Sequence, residues 1–169
     1  MTISDMAIVS DTATTDNNLM FNDSTIDRAF DWGDFQKEFL AFNFQKATLY
    51  KLTDTIIADF NGDGIMDKAF HKKENEISGI IIIHGQTNEE FRIGFGKPFA
   101  HMTEFNWIDY WALIEDKETN EITFSEDGSV LGTQKINLQN PSIFLGQNET
   151  GGGLITFMNG KYVWIHQTC

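Results

Sequence analysis

The chain has 169 residues, of which 41% are hydrophobic and 13% aromatic. This length and composition predict one globular domain with a core large enough to fold without disulfides, and they exclude a disordered protein. The single cysteine, Cys169, excludes an intrachain disulfide. The formal net charge of −13 argues against nucleic acid as a partner, because a phosphate backbone is bound by clustered Lys and Arg. The same charge favours a basic protein as the partner.

The N-terminal segment differs in composition from the rest of the chain. Residues 1–24 are rich in Thr, Ser, Asp and Asn, which is typical of a flexible or irregular leader, and residues 25–169 are expected to form a single β-rich domain. The early apolar run Met6–Val9 is shorter than a secretory signal needs, and no window is long enough to span a membrane. We therefore expect a cytoplasmic protein with no membrane partner.

A short helix is predicted near residues 34–43. Asp34 is a good N-cap residue, and Phe35, Phe39 and Phe42 recur at helical spacing. An aromatic stripe of this kind is more typical of a core-facing surface than of a cofactor site.

From Thr48 onward the pattern is one of short strands and turns. The strongest strand is Ile77–His84, whose continuous apolar run predicts burial on both faces. Glu90–Phe95 alternates and is expected to pair with it. Asn159-Gly160 between two apolar segments is the strongest hairpin signal. About eight to ten strands and one N-terminal helix predict a mostly β (α+β) fold, a single antiparallel β-domain.

The most specific motif is the nine-residue segment 59–67, Asp-Phe-Asn-Gly-Asp-Gly-Ile-Met-Asp. Oxygen-bearing side chains occupy positions 1, 3, 5 and 9, and a glycine at position 6 permits the positive φ that the turn demands. Hard cations prefer such alternating oxygen ligands, with a backbone carbonyl at position 7. We predict a structural Ca²⁺ bound by Asp59, Asn61, Asp63, Ile65 and Asp67. The alternative is a bare tight turn with a solvated acidic tip.

The motif is not that of a helix–loop–helix calcium site. Position 12 of that site carries a bidentate glutamate, whereas position 12 here is Phe70, and the flanking segments are extended. The loop instead resembles the calcium loops of FG-GAP and related β-propeller blades, through residues Asp59, Asn61, Gly62, Asp63, Gly64 and Asp67. Because it occurs once and a propeller needs several blades, the resemblance implies a calcium loop between two strands and no propeller.

The C-terminal two-thirds of the chain is similar to a family of small bacterial proteins that have one Asp loop and a characteristic closing pattern. That pattern stands here at Gly152–Ile155 and Asn159–Gln167. In size and acidity the chain resembles, by type only, the immunity proteins that neutralise secreted antibacterial toxins. The resemblance implies a protein-binding inhibitor, although no toxin-binding motif carries across.

No recognisable catalytic motif is present. Glycine-rich Gly94–Pro98 lacks the phosphate-loop pattern, and Gly151–Gly153 precedes a strand instead of a helix. The chain has four histidines, none in an H-E-x-x-H or C-x-x-C context: His71, His84, His101 and His166. We therefore predict a non-enzymatic protein. An enzyme whose site is assembled from distant residues is the remaining alternative.

The segment 107–111, Trp-Ile-Asp-Tyr-Trp, is a dense aromatic cluster. Because Trp and Tyr dominate interface hot spots, the predicted partner-binding residues are Trp107, Asp109, Tyr110 and Trp111. Core packing of the same rings is the alternative. The leading hypothesis is an immunity protein that occludes the basic active site of an antibacterial toxin domain. The alternative is a Ca²⁺-stabilised extracytoplasmic β-module for adhesion or carbohydrate binding.

Overall fold

The computed structural model describes residues 30–167. Strands make up 50% of these residues and helix 9%, which confirms the predicted mostly β class. The predicted leader, residues 1–24, lies outside the described residues. No helix between residues 30 and 167 has the length and apolarity that crossing a bilayer requires.

The elements in chain order are α1 (Trp32–Asn43), β1 (Ala47–Tyr50), β2 (Ile56–Ala58), β3 (Asp67–Glu74), β4 (Ile77–Ile83), β5 (Glu90–Gly94), β6 (Tyr110–Ile114), β7 (Glu118–Phe124), β8 (Val130–Asn137), β9 (Ser142–Gln147), β10 (Gly151–Met158) and β11 (Lys161–His166).

The strands form three antiparallel sheets. A five-stranded sheet has the order β1-β6-β9-β10-β11, a four-stranded sheet has the order β2-β3-β4-β5, and β7 pairs with β8 in a separate two-stranded sheet. The predicted strand at Ile77–His84 is β4, and it pairs with β5 as expected. The predicted turn at Asn159-Gly160 joins β10 to β11, with φ angles of 53° and 80°. Both residues thus have the left-handed backbone that a tight hairpin requires.

The five-stranded sheet is covered on both faces. On β6, Trp111 and Leu113 belong to a cluster shared with the four-stranded sheet, whereas Tyr110 and Ile114 belong to a cluster that includes Leu40 of α1. Side chains of one strand alternate between faces, so β6 must be apolar at every position. The result is three layers, with the five-stranded sheet between the four-stranded sheet and the helix.

The helix begins two residues before the predicted position. Asp31, in an extended conformation, is the N-cap, and its Oδ1 accepts the N–H of Gly33 at 2.8 Å. The prediction of Asp34 as N-cap is therefore wrong, because Asp34 lies inside the first turn. The aromatic stripe is core-facing only in part, since Phe39 packs against the core while Phe42 is 90% exposed.

The β7–β8 hairpin, here called the arm, contacts the rest of the molecule at its base and, through Phe124, near its tip. Gln167, after β11, accepts a hydrogen bond from Thr119 Oγ1 at 2.9 Å and donates one to the Asn120 carbonyl at 2.7 Å. Ile136 of β8 packs against the helix-side cluster. These contacts fix the direction in which the arm extends.

Candidate functional site

The Asp loop, residues 59–67, connects β2 to β3 and is organised by its first side chain. Asp59 Oδ1 accepts the N–H groups of Gly62 and Asp63 at 2.8 and 3.1 Å, and Oδ2 accepts that of Gly64 at 2.8 Å. Gly64 has a φ of 87°, the positive value that its position in the motif predicts. The loop is therefore a tight turn that closes on its own carboxylate.

Asp67 is a buried structural carboxylate. Its side chain is 0% exposed, and its Oδ2 accepts the N–H groups of Phe60 and Asn61 at 2.8 and 3.3 Å. Its Oδ1 accepts the N–H of Gly85 at 2.8 Å, which lies beyond the end of β4. Three backbone N–H groups thus donate to the two carboxylate oxygens, and the side chain ties the loop to the neighbouring turn.

The five predicted Ca²⁺ ligands differ in burial. Asp67 is buried, whereas the other four, here called the outer set, are half-buried or exposed: Asp59, Asn61, Asp63 and Ile65. In the outer set Asn61 Nδ2 donates to Asp63 Oδ2 at 2.9 Å, and Asp63 Oδ1 accepts the Ile65 N–H at 2.8 Å. A carboxylate oxygen has two lone pairs, so Asp63 keeps capacity for a cation. Asp67 lies in the interior with both oxygens engaged. Within residues 30–167 no three His, Cys, Asp or Glu side chains are grouped as a metal site would require.

A buried histidine lies directly behind the loop. His84 is 4% exposed; its Nε2 lies 2.7 Å from the Tyr162 hydroxyl, and its Nδ1 lies 3.2 Å from Asn61 Nδ2. An amide nitrogen only donates, so Nδ1 accepts and the Nε2–H donates to Tyr162. Burial, and then the charges of Asp67 and Glu89, raise the pKa of the Tyr162 hydroxyl. The contacts at Nδ1 and Nε2 hold both rings in place.

Only part of the predicted partner surface is accessible. Tyr110 and Trp111 are 2% and 0% exposed, because β6 is a central strand with both faces covered. Burial removes these two residues from the predicted partner-binding set. Asp109 is exposed, and its Oδ2 accepts the N–H of Asn148 at 2.8 Å. Trp107 is half-buried, so it and Asp109 remain as the accessible members.

Trp107 forms one wall of a shallow depression, here called the aromatic groove, with a volume of about 360 Å³. The rings of Trp107 and Trp164 meet edge to face with centroids 6.3 Å apart, and those of His101 and His166 lie 5.8 Å apart. Gly153 makes this arrangement possible, because a Cβ at that position would collide with the Trp164 ring. The groove is large enough for a small ligand or a single protruding side chain.

The aromatic groove continues into the tip of the arm. The ring of Phe124 meets that of His166 edge to face, with centroids 5.0 Å apart. Phe124, Val130 and Leu131 are 42%, 55% and 69% exposed. A half-exposed aromatic surface therefore extends from Trp107 through His166 to the arm.

The lining of the groove is mainly aromatic and imidazole. Its lining residues within the described chain include two imidazoles but no carboxylate and no thiol. Trp164 contributes an indole N–H that is buried without an acceptor among residues 30–167. Comparison of the chain with protein-family models, curated proteins and solved structures gave no match.

Proposed function

We propose that this protein is a non-enzymatic protein-binding protein of the immunity type, which acts in the cytoplasm and inhibits a toxin domain by covering its basic active-site cleft. The observation that supports this most is the continuous aromatic surface formed by the groove and the arm tip. Half-exposed Trp and Phe rings are the anchors that dominate protein interfaces. The formal charge of −13 adds attraction to a basic partner and repels acidic ones.

The rings of this surface are held in place before any partner arrives. Trp107 is fixed against Trp164, and His166 is packed between His101 and Phe124. Anchors that are already ordered lose less entropy on association. This suits an inhibitor, which must hold its target for long periods.

The test uses the protein encoded by the adjacent gene as the probe. Wild type should bind it in a one-to-one complex and protect cells that express it. Trp107→Ala should weaken binding by about tenfold or more, as expected for an interface anchor. Phe42→Ala, which removes an aromatic ring that is 90% exposed on α1, is the matched control and should bind like wild type. A neighbour that is harmless to cells lacking this gene, or an unaffected Trp107→Ala variant, would contradict the proposal.

The two tryptophans also support a second candidate, a Ca²⁺-stabilised extracytoplasmic β-module that binds carbohydrate. Trp rings offer flat apolar faces beside polar edges, and Gln147 adds an amide to the groove. In this candidate the Asp loop would hold the cation as a structural staple. A panel of soluble oligosaccharides, titrated in Ca²⁺ and in chelator with tryptophan fluorescence as the readout, distinguishes the two. If an oligosaccharide quenches the tryptophan fluorescence of wild type saturably and does not quench that of Trp164→Ala, the carbohydrate module is favoured.

A further inference from the structure

The arm tip exposes three large apolar side chains. One of them, Phe124, packs edge to face on His166 and still leaves part of its surface in solvent. Phe124 and Val130 are cross-strand partners, and Leu131 is the additional residue where the register shifts. Their exposed fractions are 42%, 55% and 69%. Isolated exposed apolar residues are ordinary, but three together at the end of one hairpin indicate an interaction site.

The turn at the end of the arm is held rigid by a hydrogen-bond network. Asp127 Oδ1 accepts from the Ser129 N–H at 3.0 Å, from Ser129 Oγ at 2.6 Å and from Ser125 Oγ. The Ser125 N–H donates to the Ser129 carbonyl at 2.9 Å, and Gly128 has a φ of 84°. The tip is therefore ordered in the free protein, which lowers the entropy lost when it binds.

The charges beside the apolar tip all have one sign. Glu121, Glu126 and Asp127 lie in the segment from Thr119 to Gln134, which contains no Lys, Arg or His. Hydrogen bonds from Ser125 and Ser129 lower the pKa of the Asp127 carboxyl to about 2, so it carries its charge at neutral pH. A surface complementary to this tip is an apolar pocket with cationic groups on its rim.

We propose that the arm is the element that anchors the partner. Phe124, Val130 and Leu131 enter an apolar pocket of the partner protein, and Glu126 and Asp127 meet Lys or Arg side chains at its rim. This inference rests on the proposed protein-binding function and adds to it the binding element and the chemistry of the partner's cleft. The acidic rim argues against the two other occupants of an exposed apolar tip, because a second arm tip and an anionic membrane would both be repelled.

The test separates the apolar and the electrostatic contributions kinetically, again with the protein encoded by the adjacent gene as the probe. Leu131→Ser should raise the dissociation rate about tenfold, since losing an anchor acts mainly on dissociation. Glu126→Lys should lower the association rate several-fold at low salt, and the difference should shrink as salt screens the charge. The matched controls on α1 are Phe42→Ser and Glu38→Lys, both at exposed positions, and they should leave both rates unchanged. Thermal melts should be the same for all four variants and wild type.

The possible results separate the role of the arm from the protein-binding function. If wild type binds the probe and Leu131→Ser and Glu126→Lys bind equally well, the arm is not the anchor, while the protein-binding function stands. If wild type does not bind, both the function and the arm inference are wrong. Sedimentation of wild type alone and flotation with anionic vesicles complete the test. Self-association or vesicle binding that Leu131→Ser abolishes would assign the tip to a second copy or to a membrane, and would overturn the inference.

Discussion

The imidazole Nε2 of His84 lies 2.7 Å from the hydroxyl oxygen of Tyr162, although 78 residues separate the two in the chain. His84 follows the last residue of β4, in the four-stranded sheet, and Tyr162 belongs to β11, in the five-stranded sheet. Because His84 is buried and Tyr162 is half-buried, this polar contact is shielded from water, and a lost partner is costly. The bond therefore joins the two sheets at one end.

Removing the tyrosine hydroxyl tests this connection. Tyr162→Phe leaves the His84 N–H buried without its acceptor, so the free energy of unfolding should fall by about 1–3 kcal/mol. Tyr50→Phe removes a hydroxyl from another half-buried tyrosine and is the matched control, for which we expect a smaller change. Urea denaturation of the three proteins measures the difference. Equal losses in both variants would mean that the contact with His84 contributes nothing.

Tyr110 gives the protein a characteristic alkaline sensitivity. Burial, and then the charge of Asp109, raise the pKa of the Tyr110 hydroxyl to about 12. The ordinary tyrosine pKa is about 10, so between the two values the unfolded chain loses a proton that the folded state keeps. Ionisation of this hydroxyl therefore leaves stability unchanged below pH 10 and lowers the free energy of unfolding as the pH rises from 10 through 12.

Tyr110→Phe should therefore lose less stability than wild type when the pH is raised from 9 to 11.5. At neutral pH the variant should be at least as stable as wild type, because the hydroxyl is buried without a partner among the described residues. Urea denaturation at both pH values measures this. A parallel decline in the two proteins would contradict the expectation.

Asp67 and Asp63 should respond very differently to truncation when no divalent cation is present. Asp67→Ala leaves three backbone N–H groups without their acceptor in the interior, so we expect a loss of about 2 kcal/mol or more. Asp63 is exposed and its removal relieves repulsion within the loop, so Asp63→Ala should change stability little or raise it slightly. Thermal melts in chelator compare them. Similar melting temperatures would show that the buried carboxylate is dispensable.

The proposed Ca²⁺ site is tested by the same melts in the presence of cations. Affinity should be weak, about 10⁻⁴–10⁻³ M, because the outer set offers few fixed ligands and no bidentate glutamate. At a free Ca²⁺ concentration of a hundred times the dissociation constant, the fold should gain about 2.7 kcal/mol. Asp63→Ala should abolish most of that gain. Identical melting temperatures of wild type in Ca²⁺, Mg²⁺ and chelator would show that the loop binds neither cation and is only a tight turn.

The parts of the fold that sequence predicted correctly depend on local signals. The apolar run of β4 and the turn residues Asn159-Gly160 determine their own conformations, whatever lies beside them. The partner surface could not be predicted in this way. Tyr110 and Trp111 lie on opposite faces of one strand, and both are buried because distant parts of the chain cover each face of the sheet.

Long-range contacts that no local pattern indicates also surround the candidate sites. The motif gives Asp67 the position of a cation ligand, and the structure adds a hydrogen bond from the distant Gly85 N–H. Trp164 and His166 are two residues apart in β11, so their side chains lie on the same face of the strand. This spacing is the one local signal that could have indicated that they lie side by side. Their neighbours in the groove, Trp107 and His101, come from a distant segment.

The separateness of the arm has an evolutionary consequence. β7 and β8 pair only with each other within the described sheets, and residues 125–129 form the turn between them. Substitutions at Val130 or Leu131 therefore cost the core almost nothing, whereas those in β6 or β9 disturb two layers at once. After gene duplication, selection could exchange one target for another by changing a handful of tip residues on an inherited scaffold. Among descendants of this chain, variation should concentrate where the arm ends.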